Sequence, residues 1–152
     1  MRYLLDASAV IKRYAPERGS RWIKGLIENP ENSVTIVQIC IVEVAAALAR
    51  KVRTGQISWD SCQQALTRLL ADVDKGDYEI AKIDDEVVSF AVDLTQRHPL
   101  RGYDAVHLAA ALVLNRALVE AELPPLTFIA ADDVLCKAAE KEKLLVENPN
   151  QY

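Results

Sequence analysis

Short apolar runs alternate with longer segments of helical period along this chain. The runs have the length of strands and predict them at Tyr3–Leu5, Val34–Val37, Glu79–Ile83, Leu126–Ala131 and Leu144–Val146. Parallel strands need a crossover connection, and a helix between two strands supplies one. The alternation therefore predicts an α/β fold, a three-layer α/β/α sandwich with a mostly parallel sheet.

The ends of several helices can also be predicted. Ser58, Asp84 and Asp132 each precede a helical segment that carries an acidic residue in its first turn, which is typical of N-cap positions. The helices predicted at 58–74 and 84–98 could form a small projecting lobe.

Composition limits the class of protein. A chain of 152 residues, of which 51% are hydrophobic, can bury one core, so we expect residues 1–152 to form a single domain. Cys40, Cys62 and Cys136 are odd in number and far apart, which indicates free thiols in a reducing compartment. Asp6 lies where a signal peptide would be apolar, and no apolar run could cross a bilayer. We expect a soluble cytoplasmic protein with no membrane partner.

The formal net charge of −4 argues against a protein that holds nucleic acid by bulk electrostatics. Any such role must depend on local clusters of basic residues. The candidates are Lys12, Arg13, Arg18, Arg21 and Lys24, then Arg50, Lys51 and Arg53, and finally Arg97, His98 and Arg101. Taken singly, each cluster is equally typical of a solvated helix face.

Four acidic residues stand out by their surroundings. Asp6 follows the first predicted strand and Asp132 the fourth, so both belong at the carboxyl edge of a parallel sheet, where open α/β folds place their ligand sites. Glu43 and Asp104 lie in otherwise apolar helical segments. A carboxylate in such surroundings is costly to desolvate unless it is paired or binds a cation.

Each of these acids has an ordinary explanation by itself: an ion pair with an arginine, an N-cap, or contact with a helix N-terminus. Together they are harder to explain, because two like charges about 4 Å apart repel by about 4 kcal/mol at an effective dielectric constant of 20. A hard divalent cation, Mg²⁺ or Mn²⁺, would compensate this repulsion. Such a site activates water and neutralises a scissile phosphate, which predicts phosphodiester hydrolysis.

The same residues resemble a known family. Leu4–Val10, the helix around Glu43, Leu100–Leu112 and Phe128–Leu135 occur in the order and spacing of PIN domains, especially the VapC-type toxins of type II toxin–antitoxin systems. The resemblance covers essentially the whole chain. It implies a parallel sheet of four or five strands, a magnesium-dependent endoribonuclease, a homodimer, and an antitoxin partner encoded alongside.

The resemblance also implies roles for individual residues. Asp6 and Asp104 would be the primary metal ligands. Glu43 and Asp132 would complete the catalytic site, through water or a second, weaker metal. Ser8 would hydrogen-bond a ligand carboxylate or a substrate phosphate.

Three features depart from the family pattern. Gln38 stands where many relatives have Ser or Thr, which leaves the helix of Glu43 without its usual cap. Asp132 is followed by Asp133, so either could be the fourth acid, although the spacing favours Asp132. With a low net charge, the grip on RNA must come from basic residues such as Arg97, Arg101 and the Lys12 region.

Three prominent side chains have simpler interpretations. His107 shares a helix face with Asp104, but a lone histidine on an apolar helix is typically a packed, hydrogen-bonded core residue, and a metal-bound water needs no histidine base. Trp22 and Trp59 are expected in the core or at a dimer contact before they are expected to stack on bases.

Other readings are weaker or remain open. A haloacid-dehalogenase phosphatase needs a second Asp where this chain has Ser8, and a receiver domain needs paired acids and a lysine that are missing. A housekeeping PIN nuclease without antitoxin and an inert PIN scaffold that binds RNA or protein remain alternatives.

Overall fold

The sheet has five parallel strands. A computed structural model, which describes residues 1–152, places them at β1 Arg2–Leu5, β2 Ser33–Val37, β3 Glu79–Ala81, β4 Thr127–Ile129 and β5 Leu145–Glu147. Their order across the sheet is β3-β2-β1-β4-β5, and every neighbouring pair is parallel. The strands predicted from the apolar runs are confirmed to within one or two residues at each end.

Helices cover both faces of the sheet. They are α1 Ala7–Tyr14, α2 Ser20–Glu28, α3 Cys40–Arg53, α4 Trp59–Lys75, α5 Asp85–Arg97, α6 Gly102–Glu120 and α7 Asp133–Lys141, followed by a 3-10 turn at Pro149–Gln151. Buried residues of α1 to α4 form one apolar cluster with the sheet, and those of α5 to α7 form another. The predicted three-layer sandwich is confirmed.

The strand register places the carboxyl ends of β1, β2 and β4 side by side at one edge of the sheet. Leu5 at the end of β1 pairs with Ile36 of β2 and Ile129 of β4. The chain leaves β1 toward β2 on one side and returns to β4 on the other, so the strand order reverses beside β1. Open α/β sheets bind ligands outside the carboxyl ends of strands at such a point. Asp6 follows β1 directly at this position.

The projecting lobe suggested by the sequence is wrong. The helix α4 buries Cys62, Ala65 and Leu69 in the cluster of α1 to α4, whereas α5 buries Val87 and Leu94 against α6 in the other cluster. The two helices therefore lie on opposite faces of the sheet. Each has its own apolar stripe, and each stripe packs on the layer beside it.

All of Cys40, Cys62 and Cys136 are buried and unpaired. None of the helices combines the length and the apolar content needed to cross a membrane.

Candidate active site

Asp6 is a buried carboxylate at the centre of the carboxyl edge. It is 3% exposed and caps α1, with its Oδ1 accepting the backbone N–H of Ala9 at 3.0 Å. Burial raises the pKa of Asp6 to about 6, although the charge of His107 and hydrogen bonds from Ser8 and Ala9 act in the opposite direction. No lysine or arginine forms an ion pair with it. Asp6 is thus an acid whose ionisation the protein alone does not compensate.

Ser8 ties Asp6 to the neighbouring strand. Its hydroxyl donates to Asp6, with Oγ at 2.7 Å from Oδ1 and 2.8 Å from Oδ2. The same Oγ accepts the backbone N–H of Ala131 at 2.8 Å. Ser8 therefore fixes the turn after β1 to the turn after β4, and the hydrogen bond expected between Ser8 and a carboxylate of the site is present.

Asp104 lies in the first turn of α6 and is partly buried. Burial raises the pKa of Asp104, and the negative charge of Asp132 raises it further. The positive charges of His107 and Arg101 act against this increase. The electrostatic influence of Asp132 indicates that the end of β4 and the start of α6 face the same region.

The two consecutive aspartates after β4, Asp132 and Asp133, lie in different environments. Asp132 is exposed and caps α7, accepting the backbone N–H of Leu135 at 2.9 Å. Asp133 accepts a hydrogen bond from Nδ2 of Asn148 at 2.9 Å. Of these two aspartates, Asp132 is the one whose charge raises the pKa of Asp104.

Glu43 lies in the first turn of α3, which begins at Cys40. The N-cap residue is Ile39, which makes no side-chain cap hydrogen bond, so the helix lacks a side-chain cap as expected from the sequence. Its partner is not an arginine but His107, whose Nε2 is 2.5 Å from Oε2 of Glu43. Burial opposes the charged imidazole, but the bond to Glu43 and the charges of Asp6, Glu43 and Asp104 outweigh it and raise the pKa of His107. This single ring is electrostatically coupled to three of the predicted site acids.

His107 agrees only in part with its sequence interpretation. It is 1% exposed and hydrogen-bonded, as expected of a core histidine, but its Nδ1 is buried without a partner. The contact with Glu43 was missed by the sequence reasoning. The available signal was weak: His107 follows Asp104 at i+3 on one helix, yet nothing in the sequence shows that α3 approaches α6 there.

The structure discriminates among the basic residues expected to hold RNA. Lys12 is 3% exposed and its Nζ is taken up by hydrogen bonds within the protein, while Arg13 is paired with the buried Asp72 at 2.8 Å. The exposed Arg97 is engaged by Asp93 and a second carboxylate. Lys12 and Arg13 are therefore not available to RNA, because both are buried and paired, and Arg97 also has partners within the protein. Arg18 and Arg21 are exposed and form no ion pair, so a grip on RNA by this region stays a prediction.

The C-terminal segment reaches the same edge of the sheet, which the sequence did not reveal. Nδ2 of Asn150 donates to the carbonyl of Ala131 at 3.1 Å, the same residue whose N–H donates to Ser8. The ring of Trp22 stacks on Tyr152 with centroids 4.4 Å apart, so Trp22 is an internal contact. Trp59, in contrast, is 62% exposed and not part of the core.

The acids fit a divalent cation by their chemistry, although they do not form a complete ligand shell. With the side chains as they lie, no group of three or more His, Cys, Asp or Glu residues is close enough to form a ready ligand shell. The chemistry nevertheless fits: Asp6 is buried without a cationic Lys or Arg, and the charge of Asp132 opposes ionisation of Asp104. Mg²⁺ takes only one or two carboxylates directly and keeps several waters, so Asp6 and Asp104 could hold it.

The model of the PIN domain family matches residues 3–141. A comparison with curated protein sequences finds no significant match.

Solved structures share the fold at low sequence identity. The structure of VapBC2 from Rickettsia felis bound to a DNA fragment from their promoter has a TM-score of 0.63 at 15% identity, over 97% of this chain and 98% of that one. The structure of PAE2754 from Pyrobaculum aerophilum has a TM-score of 0.61 at 20% identity, over 96% of this chain and 83% of that one. A toxin–antitoxin complex from Klebsiella pneumoniae has a TM-score of 0.50 at 18% identity, over 86% of this chain and 86% of that one.

The match to the family model spans nearly the whole chain, from β1 to the end of α7, and contains every acid discussed above. The sheet order and the flanking helices agree with it independently. This chain belongs to the PIN domain family.

Proposed function

We propose that this chain is a divalent-metal-dependent endoribonuclease formed by a single domain over residues 1–152. PIN domains are generally nucleases, which supports hydrolysis of a phosphodiester. The observation that carries the proposal is Asp6, a fully buried acid with a raised pKa and no Lys or Arg partner, at the carboxyl edge of the sheet. A cation bound beside it would remove the unfavourable energy of its charge.

Each acid has a distinct part in this proposal. Asp6 and Asp104 would hold Mg²⁺, or Mn²⁺ in its place, while Glu43 and Asp132 would complete the site through water. A metal held there would supply a more acidic water and would neutralise charge that grows on the phosphate. Ser8 keeps both oxygens of Asp6 oriented through its hydroxyl.

Arg101 is the cation best suited to a substrate phosphate. It precedes α6, its charge acts on Asp104, and it has no ion-pair partner in the protein. Arg101→Ala should weaken RNA binding, and the effect should shrink as salt is raised because it removes one phosphate contact. Arg97→Ala is the matched control, since that guanidinium is already paired.

The experiment that tests the proposal is cleavage of total RNA by the purified chain, with Mg²⁺ and with EDTA, followed by mapping of the ends. Asp104→Asn should abolish cleavage while leaving the metal-free protein as stable as wild type or more so. Asp74→Asn, an exposed acid without a side-chain hydrogen bond, is the control and should cut normally. Cleavage that survives EDTA or Asp104→Asn would contradict the proposal, and an unfolded Asp104→Asn would make that residue structural. A chain that binds RNA but never cuts it would be an inert scaffold.

Asp132→Asn and Asp133→Asn form a second matched pair. We expect the first to lose activity and the second to keep it, because the charge of Asp132 acts on Asp104 whereas Asp133 is hydrogen-bonded to Asn148. The opposite result would move the fourth acid of the site to Asp133.

We further propose that the chain is the toxin of a toxin–antitoxin pair, acts in the cytoplasm and forms a homodimer. The support is the fold shared with structures described as a toxin–antitoxin complex and as VapBC2 bound to promoter DNA. Expression of the chain should arrest growth, Asp104→Asn should not, and the product of the adjacent short reading frame should restore growth. Normal growth on expression would favour a housekeeping nuclease. Light scattering after size exclusion tests the dimer.

A further inference from the structure

Glu43 and His107 form a contact that the proposed chemistry does not by itself require. We propose that His107 is a positioning residue, which fixes the carboxylate of Glu43 and so sets the metal affinity of the site. This inference rests on the function proposed above. It carries two separate claims: the bond from Nε2 is the relevant feature of His107, and it acts through Glu43.

Glu43 needs such a partner. Its side chain has several rotatable bonds, is 21% exposed, and starts from the first turn of a helix that has no side-chain cap. The bond with His107 is the only side-chain hydrogen bond that Glu43 makes. Without it, the carboxylate could move among rotamers and turn toward solvent.

His107 is well placed to hold it. The imidazole is 1% exposed on α6, a 19-residue helix whose buried face includes Ala105 and Leu108. Because an ionised carboxylate only accepts hydrogen bonds, Nε2 carries the proton and donates it to Oε2 of Glu43 at 2.5 Å. The rigid ring therefore defines the position of an otherwise mobile carboxylate.

The bond also connects the two helical layers. Glu43 belongs to α3, which packs in the layer of α1 to α4, and His107 belongs to α6 in the opposite layer. Asp104 lies one turn before His107 on α6. The bond thereby relates the site acid of α3 to that of α6, whose relative positions would otherwise depend on packing alone.

Two simpler roles fit less well. A general base must reach the attacking water, and a ring that is 1% exposed with its free nitrogen buried has no such access. A purely structural histidine would be expected to satisfy both nitrogens, yet Nδ1 has no partner. The one hydrogen bond that the ring makes is therefore the bond between Nε2 and Glu43. Loss of an outer-shell hydrogen-bond partner typically costs a metal site about 10- to 100-fold in affinity or activity.

The test uses two amides in place of His107. In His107→Gln the amide nitrogen lies near the position of Nε2 and can still donate to Glu43, whereas in His107→Asn it lies near Nδ1 and falls short. We expect His107→Asn to weaken Mn²⁺ binding by about 10- to 100-fold in calorimetric titration. His107→Gln should restore it to within a few-fold of wild type. The Mg²⁺ concentration for half-maximal RNA cleavage should shift in parallel.

The same effect should be visible from the other end of the bond. Glu43→Ala should weaken Mn²⁺ binding, and adding His107→Asn to it should cause no further loss. If His107→Asn fails to fold, Glu43→Asp replaces it as the test variant. The aspartate keeps the negative charge but is too short to reach Nε2 of His107, so this variant should also lose Mn²⁺ affinity.

The outcomes separate the two proposals. Wild-type protein that binds no Mn²⁺ would overturn the proposed function itself. Wild-type protein that binds Mn²⁺ while His107→Asn or Glu43→Asp binds it equally well would overturn only the role of His107. Two other results would show that His107 does not act through this bond. One is an equal loss of Mn²⁺ affinity in His107→Gln and His107→Asn. The other is that adding His107→Asn to Glu43→Ala lowers the Mn²⁺ affinity as much as His107→Asn does in the wild type.

Discussion

Replacing Asp6 by Asn should stabilise the metal-free protein at neutral pH. Burial raises the pKa of Asp6 from 3.8 to about 6 in the folded state. The folded protein therefore binds more protons than the unfolded chain between these values, so stability falls as pH rises through this window and the full penalty is present above it. The difference between the folded and unfolded pKa values of Asp6 lowers the free energy of unfolding by about 3 kcal/mol at neutral pH.

The net gain should be smaller than this penalty. Asn keeps the capping acceptor for Ala9 but replaces one of the oxygens that Ser8 contacts, a loss of about 1 kcal/mol. We therefore expect Asp6→Asn to gain about 2 kcal/mol at about pH 7.5. At about pH 4 the folded wild type is protonated at this position, and the charge penalty relieved by the substitution falls below about 1 kcal/mol.

Urea unfolding followed by circular dichroism, in EDTA and at both pH values, measures this difference. Asp74→Asn is the control for a neutralised exposed acid and should change stability by less than about 0.5 kcal/mol. The reasoning is refuted if Asp6→Asn destabilises the protein at the higher pH, or if its gain is the same at both pH values. Either result would mean that burial of the charge is not what distinguishes Asp6.

Three further predictions concern the metal, a buried ion pair and the C-terminal segment. Millimolar Mg²⁺ should raise the melting temperature of wild type but not of Asp104→Asn, and equal curves with and without Mg²⁺ would count against the site. Arg13→Met leaves a buried carboxylate unpaired and should cost about 3–5 kcal/mol in urea unfolding. The exposed Arg116→Met should cost less than about 1 kcal/mol, and similar losses for the two would contradict this assignment. In Gly19→Ala the new Cβ would lie 2.1 Å from a backbone oxygen of the C-terminal turn, so carboxypeptidase should digest that segment faster than in Gly55→Ala, which has comparable positive φ but open space.

The alternation of strands and helices was predictable because side-chain burial repeats with the local geometry of the backbone. Asp84 and Asp132 were predicted as caps and do accept from the backbone N–H groups of Val87 and Leu135. The chemical nature of the site was accessible in the same way, since an acid in an apolar segment is conspicuous in any sequence. Whether these acids hold a metal remains a prediction.

Other features depended on contacts that no local pattern encodes. Lys12 and Arg13 look like a solvated basic cluster in the sequence, yet both are buried because α1 packs between other helices. There Arg13 meets the distant carboxylate of Asp72, and Lys12 meets the side-chain amide of Asn150. The lobe expected from two helices failed for the same reason, since the side of the sheet on which a helix packs follows from strand order.

The pairing of Glu43 with His107 is the clearest example. By itself the sequence determined that both residues lie on apolar helices and that Asp104 and His107 share a face. Only the tertiary structure decided that α3 and α6, on opposite layers, meet at the carboxyl edge and join residues 64 positions apart. Periodicity reports which side of an element is buried, whereas the partner on that side is set by the order of the strands and the packing of both layers.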